Sequence, residues 1–474
     1  MNAPQSPTPT SRRRLRRGML ALGLLIALWI LLIGPWPVPS NSDRSPAFLE
    51  QTLAELAATT PETLGVDQIN GSLQGGIGTA VLSLPDPAPL AGYGDRKGAA
   101  YRGYRDPLSV KSLLLDDGAD QVLLFAADLL IVPPTVAVPV HARLKDELGI
   151  QPHQVLFTAS HTHSGPGGFA PGLVGSLFAG DFNPAVVDAL VQAFIDAAQA
   201  AQADLQPVEI ATDGTAAPDL IRNRLVPDGE VRPHIPILAV RSPSGPYVAL
   251  VTGFSAHPTL LGPDNLALSG DYPAALERAL EAEIDAPALF LGGAVGSMAP
   301  DPPEGDFSSR AARAEAMGRS LAEKVIQKLP ELVFTSTADL AGLRLPIQLP
   351  NPQVRLNSRW RLSPILTRFL LPTRTAALNA LRIGDQVWFG TPCDFSGELA
   401  NDLALAFEPL GVQAVACSFN GEYIGYVLPD EYRELQSYES MAMSWYGPRI
   451  GSAFTRILTE AGHLLTRLPA AQQP

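Results

Sequence analysis

Phe157-Thr158-Ala159-Ser160-His161-Thr162-His163-Ser164-Gly165-Pro166-Gly167-Gly168 is the stretch that decides how this chain reads. The run from Gln154 to Thr158 is apolar and β-branched, and it breaks here into a glycine-rich turn. Two of the seven histidines stand one residue apart at that break. A polar residue at the end of a buried strand sits on a rigid scaffold under an open loop, where α/β proteins place their chemistry. An imidazole pair in that position points to a metal-dependent hydrolase; taken alone, an H-x-H is more often two polar loop residues.

The flanking sequence supplies the scaffold. Val122 to Ile131 is apolar apart from Asp128, the pattern of a strand buried on both faces. Val136–Leu148 and Pro184–Leu205 have helical periodicity, the second opened by Asn183 with Pro184 at the first helical position. Ile237–Val240 and Val248–Phe254 predict paired strands across the turn residues Ser242–Pro246. Ala288–Leu291 predicts another strand, Ser309–Lys328 a helix, Leu378–Phe389 a hairpin turning at Gly384-Asp385, and Val412–Cys417 a strand. Met441–Leu465 predicts a terminal helix interrupted near Gly447-Pro448. Together they describe one α/β unit over residues 69–468, preceded by a linker and short amphipathic segment over 37–68 and followed by a disordered tail, 469–474.

Charge is unevenly spread. Residues 1–36 hold five arginines and no acid, whereas the rest of the chain carries 29 basic and 47 acidic side chains, a net of −18. An acidic body excludes nucleic acid as partner, because phosphate neutralisation needs clustered Lys and Arg. The arginines lie in a basic tail, residues 1–17, before an uncharged run from Gly18 to Trp36. A run of about 18 or more apolar residues is long enough to span a bilayer, with flanking arginines on the cytoplasmic side. The expectation is a transmembrane anchor over 18–36 with the body extracytoplasmic, a cleaved signal peptide being the alternative. Cys393 and Cys417 lack C-x-x-C spacing and leave one disulfide or two buried thiols open.

Two further strand ends carry candidate ligands. His257 follows the apolar strand ending at Phe254, and Asp394 follows Val387–Gly390 in Thr391-Pro392-Cys393-Asp394. Zinc takes imidazole and carboxylate in a near-tetrahedral cage and keeps one position for water in a catalytic site. Three termini converging on one sheet edge would join His161, His257 and Asp394 in such a site.

These residues stand within a longer resemblance. Gly76-Ile-Gly-Thr-Ala80, Ala91-Gly-Tyr-Gly94, Thr158–Gly168, Asn223-Arg224, His257-Pro258, Thr391–Asp394, Tyr423-Ile-Gly-Tyr426 and Asp430-Glu-Tyr432 occur in the order found in the neutral, non-lysosomal ceramidases, and the chain resembles their N-terminal catalytic domain over roughly 77–465. The resemblance implies an α/β fold of mixed β-sheets sandwiched by helices, and a zinc amidase that cleaves the N-acyl bond of ceramide. It implies His161, His257, Asp394 and Tyr426 as zinc ligands, Asp394 standing where the family has glutamate. It also implies His163 facing the reacting carbonyl, with Arg224 and Tyr438 in the substrate pocket. The family's catalytic serine is replaced by Ala299 in Gly296-Ser297-Met298-Ala299-Pro300, and no serine nucleophile is expected here. The chemistry that remains is a metal-activated water attacking an amide carbonyl of ceramide or a related N-acyl lipid. Alternatives are a catalytically silent, anchored lipid-binding homologue and a metal-dependent esterase. Val354–Pro372, apolar among arginines, reads as a membrane-surface segment, an acyl groove or core.

Overall fold

The computed structural model describes residues 9–39, 46–59 and 72–467. It opens with α1 (Pro9–Leu32) and α2 (Ala47–Ala58), after which the chain builds three large β-sheets beside three two-stranded ones. The first contains β1 (Gln74–Val81), β2 (Ser109–Asp116), β3 (Gln121–Ala127), β4 (Val155–Ala159) and β5 (Gln206–Pro207), in the order β4-β3-β2-β1-β5. Its connections carry α3 (Pro134–Arg143), α4 (Gly172–Ala179) and α5 (Pro184–Ala203). The second has β6 (Glu209–Ala216), β7 (His234–Arg241), β8 (Tyr247–Phe254) and β9 (Ala288–Gly292), in the order β9-β8-β7-β6, with α6 (Asp271–Ile284) and α7 (Arg310–Lys328). The third runs β10 (Leu340–Gln348), β11 (Thr375–Ile383), β12 (Gln386–Gly390) and β13 (Gln413–Cys417) in sequence order, accompanied by α8 (Pro364–Leu370), α9 (Gly397–Phe407) and α10 (Ile450–Thr466).

Strand alternation explains how the sheets pack. On β3, Leu123, Phe125 and Ala127 face the helices α3 and α5, while Val122, Leu124 and Ala126 face a core shared with the other two sheets. On β8, Ala249 and Val251 join that shared core, and Leu250 and Phe254 meet α6 and α7. On β12, Trp388 points into it, with Val387 and Phe389 turned to α9 and α10. Each sheet is therefore covered by helices outside and by sheet inside, which is why the strands read as continuous apolar runs rather than alternating ones. The fold is mixed α/β, as the resemblance implied.

Most expected elements are present with shifted ends. Val136–Leu148 divides into α3 and one wider turn over Leu144–Leu148. The expected terminal helix is broken over 444–449, between a turn at Glu439–Met443 and α10. The apolar run expected to be helical to Trp36 stops at Leu32, because Trp36–Pro37 leaves the helix to pair with Trp360–Arg361. Among the described residues no single helix is long and apolar enough to cross a membrane. Part of the amphipathic segment before Leu64 forms α2, and the rest, like the tail after Arg467, lies outside the described residues. Cys393 and Cys417 are both buried and free, so the disulfide alternative falls.

The feature that positions a site is parallel pairing. Each large sheet contains one parallel pair: β3 with β4, β8 with β9, and β12 with β13. The carboxyl ends of the three pairs meet. The Gly292 amide donates to Thr158 Oγ1 at 3.2 Å, and Ser418 N donates to the Gly292 carbonyl at 2.9 Å. Only glycine allows this approach at 292, since a Cβ there would stand 2.3 Å from the Ala159 carbonyl oxygen.

Candidate metal centre

The chain leaves each parallel pair and presents a polar group within a few residues. His161 follows β4, His257 follows β8, and Asp394 follows β12. All three are buried, at 3%, 2% and 0% exposure; each follows a strand of a different sheet, and Asp394 pairs with Tyr426 in a short parallel ladder. The backbone at His161 is left-handed, φ 63°, a conformation that costs a non-glycine residue free energy and that clusters at functional sites. The Phe419 ring stacks on the imidazole at 4.2 Å and fixes its plane.

Hydrogen bonds then settle which nitrogens carry protons. His161 Nδ1 faces the Leu130 carbonyl at 2.6 Å, and His257 Nδ1 faces the Val295 carbonyl at 2.8 Å. A carbonyl can only accept, so both Nδ1 atoms are donors and both Nε2 atoms hold lone pairs. Those two Nε2 atoms are 3.0 Å apart, and Asp394 Oδ1 lies 3.4 Å from each. Oδ1 itself has no hydrogen-bond partner although it is buried. With Asp394 ionised, three lone-pair atoms converge with no proton to share among them. Leaving such groups buried and unpaired is costly, and a cation at their meeting point removes the repulsion.

Burial favours the uncharged imidazoles that metal binding needs. It pushes His161 from its ordinary 6.5 down to about 3, and His257 and His163 well below their usual range. It also raises Asp394, against the opposing pull of His161 and of the hydroxyl of Tyr423. Tyr426 OH lies 3.3 Å from His257 Nε2 and accepts a 3.0 Å hydrogen bond from Arg224. Burial raises this phenol, and the Arg224 charge pulls it back down.

His163 completes the cluster from its more exposed side. Its Nε2 is 3.4 Å from that of His161, and the ligating atoms of His161, His163 and His257 all lie within 4.8 Å of one another. Its ring packs on Tyr93 at 4.9 Å, and its carbonyl accepts from Arg96. The residues expected at the site are therefore assembled: His161, His163, His257, Asp394, Tyr426 and Arg224 form one contiguous group. Tyr438 is 63% exposed at the rim, close enough for the charges of Asp394, Glu439 and Arg224 to act on its phenol.

Three contributors were not expected from sequence. Tyr423 donates to Asp394 Oδ2 at 2.6 Å and so orients the carboxylate. Glu439 pairs with Arg224 at 3.4 Å, and Phe419 supplies the stacking surface under His161. Only Tyr423 carried a signal, as the first residue of Tyr423-Ile-Gly-Tyr426. Ser297, neighbour of the missing serine, is fully buried and donates to the Glu398 carboxylate while accepting from Gly397 N at 3.1 Å. Its proton is committed to structure.

Comparison with known proteins follows the same line. Residues 86–315 match the family model described as neutral/alkaline non-lysosomal ceramidase, N-terminal. A 96-residue segment is 35% identical to a neutral ceramidase of Mycobacterium tuberculosis, spanning 20% of this chain and 15% of that protein. The fold is similar to the crystal structure of neutral ceramidase from Pseudomonas aeruginosa, with TM-score 0.73 and 19% identity over 85% of this chain and 76% of that one. A ceramidase complexed with C2 is similar at TM-score 0.70 and 19% identity, over 85% and 77% of the respective chains. These findings bear out the resemblance to the neutral/alkaline ceramidase family that the motifs carried.

Proposed function

We propose that the chain is a zinc-dependent amidohydrolase that cleaves the N-acyl bond of ceramide or a related N-acyl lipid. The observation that carries this reading is the convergence of His161 Nε2, His257 Nε2 and the unpartnered Asp394 Oδ1, none able to donate a proton to the others. With Tyr426 they would hold the ion, a donor set suited to zinc. Bound there, a divalent cation supplies Lewis acidity, polarising a carbonyl and shifting the pKa of water from about 15.7 toward 7.

The remaining residues act on the substrate. Arg224 is anchored by the Gly296 carbonyl at 3.0 Å and by Glu439, and it directs its charge at the Tyr426 hydroxyl. The two groups stabilise negative charge developing on the acyl oxygen. His163 enters the reaction neutral, and its Nε2 takes a proton from the attacking water and passes it to the leaving amine. The balance is one water consumed, the C–N bond broken, and a fatty acid and an amine released. None of these steps calls on a hydroxyl at position 299. The same reading makes α1 a membrane attachment, since large apolar side chains from Met19 to Leu32 all face outward.

The test is hydrolysis of a fluorescent N-acyl sphingosine. The expected result is activity abolished by chelation and restored by zinc. Ala299 favours a second reading, a silent lipid-binding homologue; zinc-loaded protein inert toward N-acyl lipids would establish it in place of the first. Release of acid from esters but not amides would assign an esterase.

A further inference from the structure

We propose that the outward face shared by α4 and α8 is a docking platform for an anionic lipid surface, set beside the entrance to the metal centre. On α4, Leu173 and Leu177 are 61% and 62% exposed; on α8, Ile365 and Phe369 are 50% and 78% exposed. Each pair is spaced four residues apart and so lies on one side of its helix. The two helices pack against each other, which joins the pairs into one apolar surface. Large apolar side chains grouped outward in this way mark an interaction site rather than scattered surface residues.

Charge names the partner. Residues 354–374 contain five arginines and no acid, in a chain whose net charge is −13. Arg359 and Arg368 are exposed among Trp360, Ile365 and Phe369. Apolar side chains that enter the acyl boundary, rimmed by arginines that meet phosphates, are the composition of an interfacial element on anionic lipid. The path of α1 points the same way. Where α1 ends, the Ile33 carbonyl accepts from Ser363 N at 2.9 Å, and Trp36–Pro37 pairs with Trp360–Arg361. Lipid around α1 is therefore within a few residues of α8.

The inner side of α4 leads to the centre. The Phe178 ring is 6.3 Å from the Tyr423 ring, whose hydroxyl holds Asp394. A lipid leaving the bilayer at this platform crosses one helix to reach the ligands. That consequence rests on the amidase reading above; the docking itself does not.

The experiment uses the full chain with a polarity-sensitive dye on Phe369→Cys, Leu173→Cys or Val333→Cys, the two native thiols being buried. Val333, 86% exposed, is the control. On phosphatidylcholine vesicles containing phosphatidylglycerol, emission at 369 and 173 is expected to shift to the blue while 333 stays in water. The shift should weaken on phosphatidylcholine alone. Labels at 369 and 173 as wet as at 333 on vesicle-bound protein would overturn the proposal. So would a blue shift without lipid that grows with protein concentration, which would give the face to a second copy of the chain. As a second arm, Ile365→Ser/Phe369→Ser should lower turnover of vesicle-borne N-acyl lipid about tenfold. Turnover of a water-soluble short-acyl amide should not change, and an equal loss on both substrates would count against docking.

Discussion

At Asp394 one oxygen is satisfied and the other is not. Oδ2 takes the Tyr423 hydroxyl at 2.6 Å, whereas Oδ1 faces two imidazole lone pairs. Groups that orient a ligating carboxylate contribute to affinity without touching the ion. Tyr423→Phe should therefore fold normally yet bind zinc about 10–100-fold more weakly. A competition titration with a chromophoric chelator measures this, and unchanged affinity would show that Asp394 is held by other means. The proposed ligands were legible in sequence because His161, His257 and Asp394 each follow an apolar run, which marks a strand end. Tyr426 and Arg224 were legible only through the motifs they share with a family. Glu439 and Phe419 were not legible at all, since a salt bridge and a ring stack formed across the fold leave no local spacing to read.

At the scale of elements, strands buried on both faces were the easiest to read. β3 shows why, sending alternate residues into two different cores and so appearing as unbroken hydrophobicity. β1 was missed for the opposite reason. Gly76 and Gly78 lie against α5, where a Cβ would stand 2.1 Å from the Ala201 carbonyl oxygen and 2.0 Å from that of Ala197. This strand packs by lacking side chains, so its contact is invisible to a hydrophobic pattern.

The packing of α3 on β4 has a pH dependence of its own. His141 meets the Phe157 ring edge-on at 4.9 Å, and its Nδ1 is buried without a partner. Burial, aided by the Arg344 charge, pushes it from 6.5 down to about 4. The unfolded chain then binds the proton between those values and the folded chain does not, so His141 lowers stability as pH falls through that window. His141→Phe removes the effect. Relative to wild type, the variant should gain about 1–2 kcal/mol on going from about pH 7 to about pH 5, read from urea unfolding midpoints. A difference that does not change with pH would mean that the imidazole is protonated inside the fold.

At the scale of the whole molecule, His161, His257 and Asp394 follow strands of three different sheets, and Tyr426 pairs with Asp394, so the proposed ligands tie the sheets together. Binding to the native state alone stabilises it by RT ln(1 + [L]/Kd), which is about 4 kcal/mol at a thousandfold excess over Kd. Chelation should therefore lower the thermal midpoint of the whole α/β unit in one cooperative step. A midpoint unmoved by chelator would place any bound metal elsewhere. The central claim is that the buried lone pairs of His161, His257 and Asp394 surround a cation. Elemental analysis of the purified full chain tests it most directly: wild type should carry about one zinc per chain and His257→Ala almost none. Wild-type protein that takes up no metal, or a variant that retains as much as wild type, would contradict it.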